Sequence, residues 1–78
     1  MTTKNILLEV LSERERQDAK WSDHRVLDQR TWITVLVEEL GEVARANLEK
    51  DPANYREELL QLAAVAVAAI ESLDRNGG

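Results

Sequence analysis

Residues 38–61 read EELGEVARANLEKDPANYREELLQ, and the middle of this stretch decides the fold. Asp51-Pro52 is a junction between two helices. Aspartate suits an N-cap, and proline suits the first helical position, where its missing N–H would have no partner anyway. Nothing on either side alternates apolar and polar residues as a strand would, and both flanks repeat with helical spacing. The reading is a helix over about 31–50, with Thr31 or Asp28 as its N-cap, and another over about 52–74. So short a connection forces the pair into an antiparallel hairpin.

Upstream, a first helix is expected over about 3–20. Its first half is apolar (Ile6, Leu7, Leu8, Val10, Leu11) and its second half, Ser12 to Lys20, is almost entirely polar. Such a helix packs on the core with one end and lines a polar site, or faces water, with the other. Trp21 to Arg30 lacks periodicity and reads as a loop. It carries the only histidine, His24, beside Asp23 and Arg25, and His24 is assigned no catalytic role. Asn76-Gly77-Gly78 ends the last helix. The expected fold class is therefore all-α, with residues 1–78 forming one three-helix domain.

A chain of 78 residues buries only about 60% of the surface its unfolded form exposes, so its own core leaves it marginal. With no cysteine, disulfides and zinc-thiolate sites are excluded. The last helix is apolar nearly all round, through its alanines and Val65, Val67 and Ile70. Three helices cannot cover it within one chain. A partner chain completing a four-helix-bundle-like core would. A net charge of −5, from 15 acidic and 10 basic side chains, argues against unaided nucleic-acid binding. It suits a site that recruits Mg²⁺ or Mn²⁺, and equally suits plain solubility. No secretory signal is visible, and the apolar run Leu62–Ile70 is far below the roughly 20 residues of a membrane span. A cytoplasmic protein without membrane contact is the expectation.

Two carboxylates stand where a core should be. Successive residues turn by about 100° on a helix. With Glu39 at zero, Trp32, Val35, Leu36, Val43 and Ala46 fall within about 60° of it. Glu42 lies at the edge of that stripe, and Glu38 lies off it with Arg45 and Glu49. The next helix repeats the arrangement. Tyr55, Leu62, Val65, Ala69 and Leu73 surround Glu58, Gln61 sits at the edge, and Glu57 points away with Glu71 and Arg75. The hairpin can bring Glu39, Glu42, Glu58 and Gln61 into one space. Burying unpaired carboxylates near one another is costly, and no Lys or Arg falls within either stripe. A hard divalent cation takes carboxylate, amide and water oxygens, which is this donor set. A single glutamate pair spaced i, i+3 ordinarily sits at a helix edge and reaches water; two such pairs on one hairpin, each centred on an apolar stripe, are harder to explain that way.

At these residues the sequence resembles the MazG-like branch of the all-α nucleoside triphosphate pyrophosphohydrolases, whose members carry an EExxE motif, a spacer and an ExxD motif. Here the first reads Glu38-Glu39-Leu40-Gly41-Glu42 and the second Glu58-Leu59-Leu60-Gln61. Glu13 through Trp21 is similar to the N-terminal helix of small members, often associated with phages or mobile elements. The run from Glu57 through Ile70 is similar to their last core helix. The resemblance covers about Leu8 to Asp74.

The resemblance implies that Glu39, Glu42 and Glu58 are ligands of Mg²⁺ or Mn²⁺, with Glu38 an auxiliary carboxylate. It implies hydrolysis of a nucleoside or deoxynucleoside triphosphate to monophosphate and pyrophosphate, by dimers or dimers of dimers with helices from two chains around each site. Glu38, or Glu39 itself, would then serve the catalytic step. In the first helix, Arg14 and Lys20 are candidates for phosphate contacts, Gln17 for a base edge and Trp21 for base stacking. The plain alternatives are a solvated face for Arg14 and Lys20 and a core cap for Trp21. Trp32 and Tyr55 read as core or interface residues. Gln61 departs from the family, replacing its last acidic ligand with an amide that supplies no charge. The alternative function is accordingly a non-catalytic helical dimer whose degenerate site serves an interaction or regulatory role.

Overall fold

The computed structural model describes residues 2–21 and 27–76. They form α1 (Thr3–Trp21), α2 (Gln29–Leu48) and α3 (Pro52–Asn76), the expected all-α order. The centre of the expected loop, including Asp23, His24 and Arg25, lies outside the described residues, as does the glycine pair at the end.

Local chemistry sets the helix ends. Of the two candidate caps for α2, Asp28 is the one used: its carboxylate accepts from the Thr31 N–H at 2.8 Å. The helix therefore starts at Gln29, two residues before the expected position. It also ends two residues early, because Lys50 adopts a left-handed backbone with φ of 56°. The Lys50 N–H turns back to the Asn47 carbonyl and the Asp51 N–H to that of Ala46, which satisfies carbonyls the helix would otherwise leave bare. Asp51 then opens α3, its side chain accepting from the Asn54 N–H at 3.1 Å. One residue thus closes one helix and caps the next, so the turn needs only residues 49–51. Glycine is the usual residue at the Lys50 position; a side chain there costs roughly 1–2 kcal/mol.

α2 returns along α3 as the expected hairpin. At its far end the Ser72 hydroxyl accepts from the Leu27 N–H at 3.2 Å and donates to the Leu27 carbonyl at 3.3 Å, which ties the entry of α2 to the end of α3. Trp32, Val65 and Ala68 form the centre of the core, with Leu27, Val35, Leu36 and Ala69 against them. Ala46 and Ala64 are also fully covered.

α1 packs on α3 and not on α2. Glu9 and Arg14 are about one and a half turns apart on α1, whereas their partners Arg56 and Glu71 are about four turns apart on α3. α1 therefore bridges widely separated points of α3, and Val10, Arg14 and Gln17 form its buried stripe. Val10 is its buried apolar contact; Leu7, Leu8 and Leu11 remain exposed. Polar bonds do much of the fastening. The Arg14 guanidinium is 2.7 Å from Glu71 and 2.8 Å from Asp18, and Arg56 reaches Glu9 at 2.6 Å.

We expect Arg14→Ala to destabilise the protein by about 1–3 kcal/mol, because it leaves Glu71 and Asp18 without their donor. Urea unfolding measures the loss. Amide exchange should then accelerate in α1 before it does in α2 or α3.

Candidate metal centre

Glu39 and Glu42 stand one turn apart on α2, and Glu58 faces them from α3. One ligand oxygen from each lies within 4.8 Å of the others. The hairpin makes this meeting possible, since Glu42 and Glu58 flank the turn at similar distances from it. Glu39 and Glu58 are half-buried and Glu42 is exposed. Around Glu39, Trp32, Val43 and Ala46 are buried, so the carboxylate does interrupt an apolar seam.

The cluster has no counter-charge of its own. Among the described residues no Lys or Arg pairs with any of the three glutamates; Arg14, Arg16 and Arg56 are engaged by Glu71 and Asp18, by Glu13, and by Glu9. The Oε2 atoms of Glu39 and Glu58 are buried and accept no hydrogen bond. The acidities respond. Burial holds the Glu39 carboxyl above its ordinary value, and Glu42, Glu13 and Glu38 push the same way. Glu58 is pushed up to about 7, by burial first, then by the Glu42 carboxyl beside it and by Glu39 and Glu57.

This donor set fits Mg²⁺ or Mn²⁺. Both prefer carboxylate oxygen, and the two bare Oε2 atoms are sites that protein donors leave unfilled.

The remaining site candidates fall in three places. Gln61 is half-buried on α3, one turn beyond Glu58. Glu38 is exposed in a surface groove with Gly41, Glu42 and Arg45. The candidates on α1 divide. Arg14 is buried and held by its ion pairs, so it lies on no solvated face. Gln17 is only 2% exposed, accepting from Arg14 and donating to Glu13, each at 3.4 Å. At the end of the helix, Lys20 is exposed with its ammonium 4.9 Å over the ring of Trp21, itself 42% exposed.

One participant has no signal in the sequence. Glu13 of α1 acts electrostatically on Glu39 and is itself held by Arg16 at 2.6 Å. Its approach depends on how α1 packs on α3, which helical periodicity does not encode. No family model matches the chain, and neither a curated protein nor a solved structure matches it.

Two predictions concern this cluster. Glu58 titrates higher in the folded state, about 7, than its ordinary 4.5, so the folded form gives up stability as the group ionises. Below about pH 4.5 the group is protonated in both states; as pH rises to about 7 that contribution is lost. Metal-free protein should therefore melt at progressively lower temperature across this window, and Glu58→Gln should flatten the slope. Second, millimolar Mg²⁺ or Mn²⁺ should raise the melting temperature at pH 7.5, since a ligand of the native state stabilises it. Chelator should reverse the rise, and Glu39→Gln or Glu58→Gln should abolish most of it.

Proposed function

We propose that this chain is a Mg²⁺- or Mn²⁺-dependent nucleoside or deoxynucleoside triphosphate pyrophosphohydrolase of the MazG-like kind, working as a homodimer or dimer of dimers. The observation that carries the reading is the pair of buried Oε2 atoms on Glu39 and Glu58 that accept no hydrogen bond, in a cluster that no Lys or Arg pairs with among the described residues. Glu39, Glu42 and Glu58 would hold the ion, with the Gln61 amide oxygen as a further neutral donor. A bound divalent ion supplies positive charge to the phosphates and makes nearby water more acidic. Glu38 is solvent-accessible next to the cluster and is the carboxylate free to orient the attacking water and take its proton. Water oxygen bonds to phosphorus, the anhydride bond to the pyrophosphate breaks, and pyrophosphate leaves with the bonding pair.

Oligomerisation is supported by a second apolar stripe on α2, opposite the core. Ile33, Val37 and Leu40 are 59%, 62% and 55% exposed, and Ala44 and Leu48 continue the line at helical spacing. Gly41 stands beside it, with nothing within 4 Å of the place its Cβ would occupy. A helical glycine costs about 1 kcal/mol relative to alanine, and no contact within the chain requires it. A helix from a second copy lying close against α2 would.

Gln61 and the engagement of Arg14 favour the second reading, a helical oligomer with a weakened site and no catalysis. The decisive assay incubates the protein with a panel of nucleoside and deoxynucleoside triphosphates and Mg²⁺ or Mn²⁺ and measures pyrophosphate. We expect release for at least one nucleotide, with Glu39→Gln at least about 100-fold slower, in line with the loss of a group acting directly in the reaction. Release no faster than that variant for every nucleotide would rule the enzyme out. By sedimentation at micromolar concentration, the wild type should be a dimer or larger. Val37→Asp should weaken association while leaving the helical circular dichroism unchanged; a wild-type monomer would refute the assembly.

A further inference from the structure

One cation stands beside the glutamate cluster without taking part in it. Glu38, Gly41, Glu42 and Arg45 line a groove of about 350 Å³ on α2. They follow one another at i, i+3, i+4 and i+7, which is one face of a helix. Glu42 joins this groove to the metal centre, since the residue that lines it also meets Glu39 and Glu58. We infer that Arg45 binds the two phosphates that leave as pyrophosphate. The inference rests on the phosphohydrolase reading and adds to it the group that holds the departing half of the substrate.

Arg45 is available for this. It is exposed, and among the described residues no ion pair or hydrogen bond engages it. Glu42 precedes it by three residues and Glu49 follows it by four, spacings at which helix side chains commonly pair, yet neither holds it. Arg14, Arg16 and Arg56 are engaged by other carboxylates. Gly41 lines the same groove without a side chain, and nothing lies within 4 Å of the place its Cβ would occupy. A phosphate can therefore come close to the backbone of α2.

The charges of the site call for such a group. A divalent ion offsets only part of the negative charge of Glu38, Glu39, Glu42 and Glu58, and a triphosphate adds more of the same sign. Gln61, being neutral, leaves that excess unchanged. A guanidinium presents parallel N–H donors that match two phosphate oxygens at once.

The order of residues along α2 assigns Arg45 to the leaving side. Glu38, the carboxylate that orients the attacking water, and Arg45 are seven residues apart, about 10 Å along the axis and on nearly the same side of the helix. Glu42 stands between them. In phosphoryl transfer the attacking and leaving oxygens lie roughly in line, on opposite sides of phosphorus. With the water at Glu38 and the phosphorus near the ligands of the metal, the pyrophosphate departs towards Arg45. The guanidinium keeps its proton throughout. It offsets the charge that gathers on the bridging oxygen as the bond from phosphorus breaks.

Calorimetry in Mn²⁺ tests the assignment with the two products as probes, inorganic pyrophosphate and a panel of nucleoside monophosphates. Arg45→Gln should weaken pyrophosphate binding at least about tenfold, as expected for loss of a charge-assisted pair, and leave the monophosphates bound as by the wild type. Arg45→Lys should recover part of the loss, because it restores the charge without the fork. Arg45 lies in the last turn of α2, where a cation also suits the helix dipole. A loss of helix stability would weaken both probes alike, so the contrast between them separates the two roles. The rise in melting temperature with Mn²⁺ should persist in Arg45→Gln, which shows the metal centre intact. Equal pyrophosphate affinity in wild type and Arg45→Gln, an equal loss for both probes, or no pyrophosphate binding by the wild type overturns the assignment of Arg45. The phosphohydrolase reading stands or falls separately, on release of pyrophosphate from triphosphates.

Discussion

Carboxylates held in an apolar seam set the terms for the rest of this molecule. The groove between α2 and α3 is closed by Trp32, Val65 and Ala68 towards one end. Towards the hairpin turn it is occupied by Glu39 and Glu58, each with an oxygen out of reach of water and of any donor. Like charges a few ångströms apart in such a place raise one another's pKa until a proton or a cation intervenes. Among the described residues no Lys or Arg pairs with them, and Arg14, Arg16 and Arg56 are engaged by other carboxylates. An apolar core stabilises one end of the hairpin, while the carboxylates nearer the turn oppose burial whenever they are charged.

The three helices divide the work unequally. α3 is the shared element, with both α2 and α1 packed on it. Small side chains at Ala64 and Ala68 let neighbouring backbones come close. α1 has few buried apolar residues and is fastened chiefly by Arg14 and by the Arg56–Glu9 pair. Two carboxylates and the Gln17 amide satisfy the Arg14 guanidinium, so its burial is compensated. The packing of α1 on α3 also brings Glu13 within electrostatic range of Glu39. α1 thus adds to the negative field of the site.

Much of this was legible in the sequence. Asp51-Pro52 announced the turn because both residues have strong and different reasons to be there. The stripes around Glu39 and Glu58 followed from helical periodicity, which is a property of single helices and needs no knowledge of packing. What escaped was whatever depends on one helix meeting another. Asp28 and Thr31 are both acceptable caps by residue type, and only the backbone entering α2 chooses between them. Lys50 gave no sign of a left-handed conformation, because glycine or asparagine is the usual marker. Arg14 read as a surface cation until Glu71, far away in the chain, came to lie opposite it. The stripe of Ile33, Val37 and Leu40 was legible in principle by the same periodicity, but the stronger stripe through Trp32 and Glu39 masked it.

The alanines buried in the hairpin also bear on how the gene can vary. Ala46, Ala64 and Ala68 are among the most covered residues of the chain, and every replacement except glycine adds atoms where the packing has no room for them. Most cores are damaged by truncation, which opens voids. Here an ordinary single-base change at an alanine codon, to valine, threonine or glutamate, would wedge two helices apart and displace the glutamates one or two turns away. The inward face of α3 is therefore intolerant of growth. Its outward face carries no such restriction within the single chain, and only assembly would impose one.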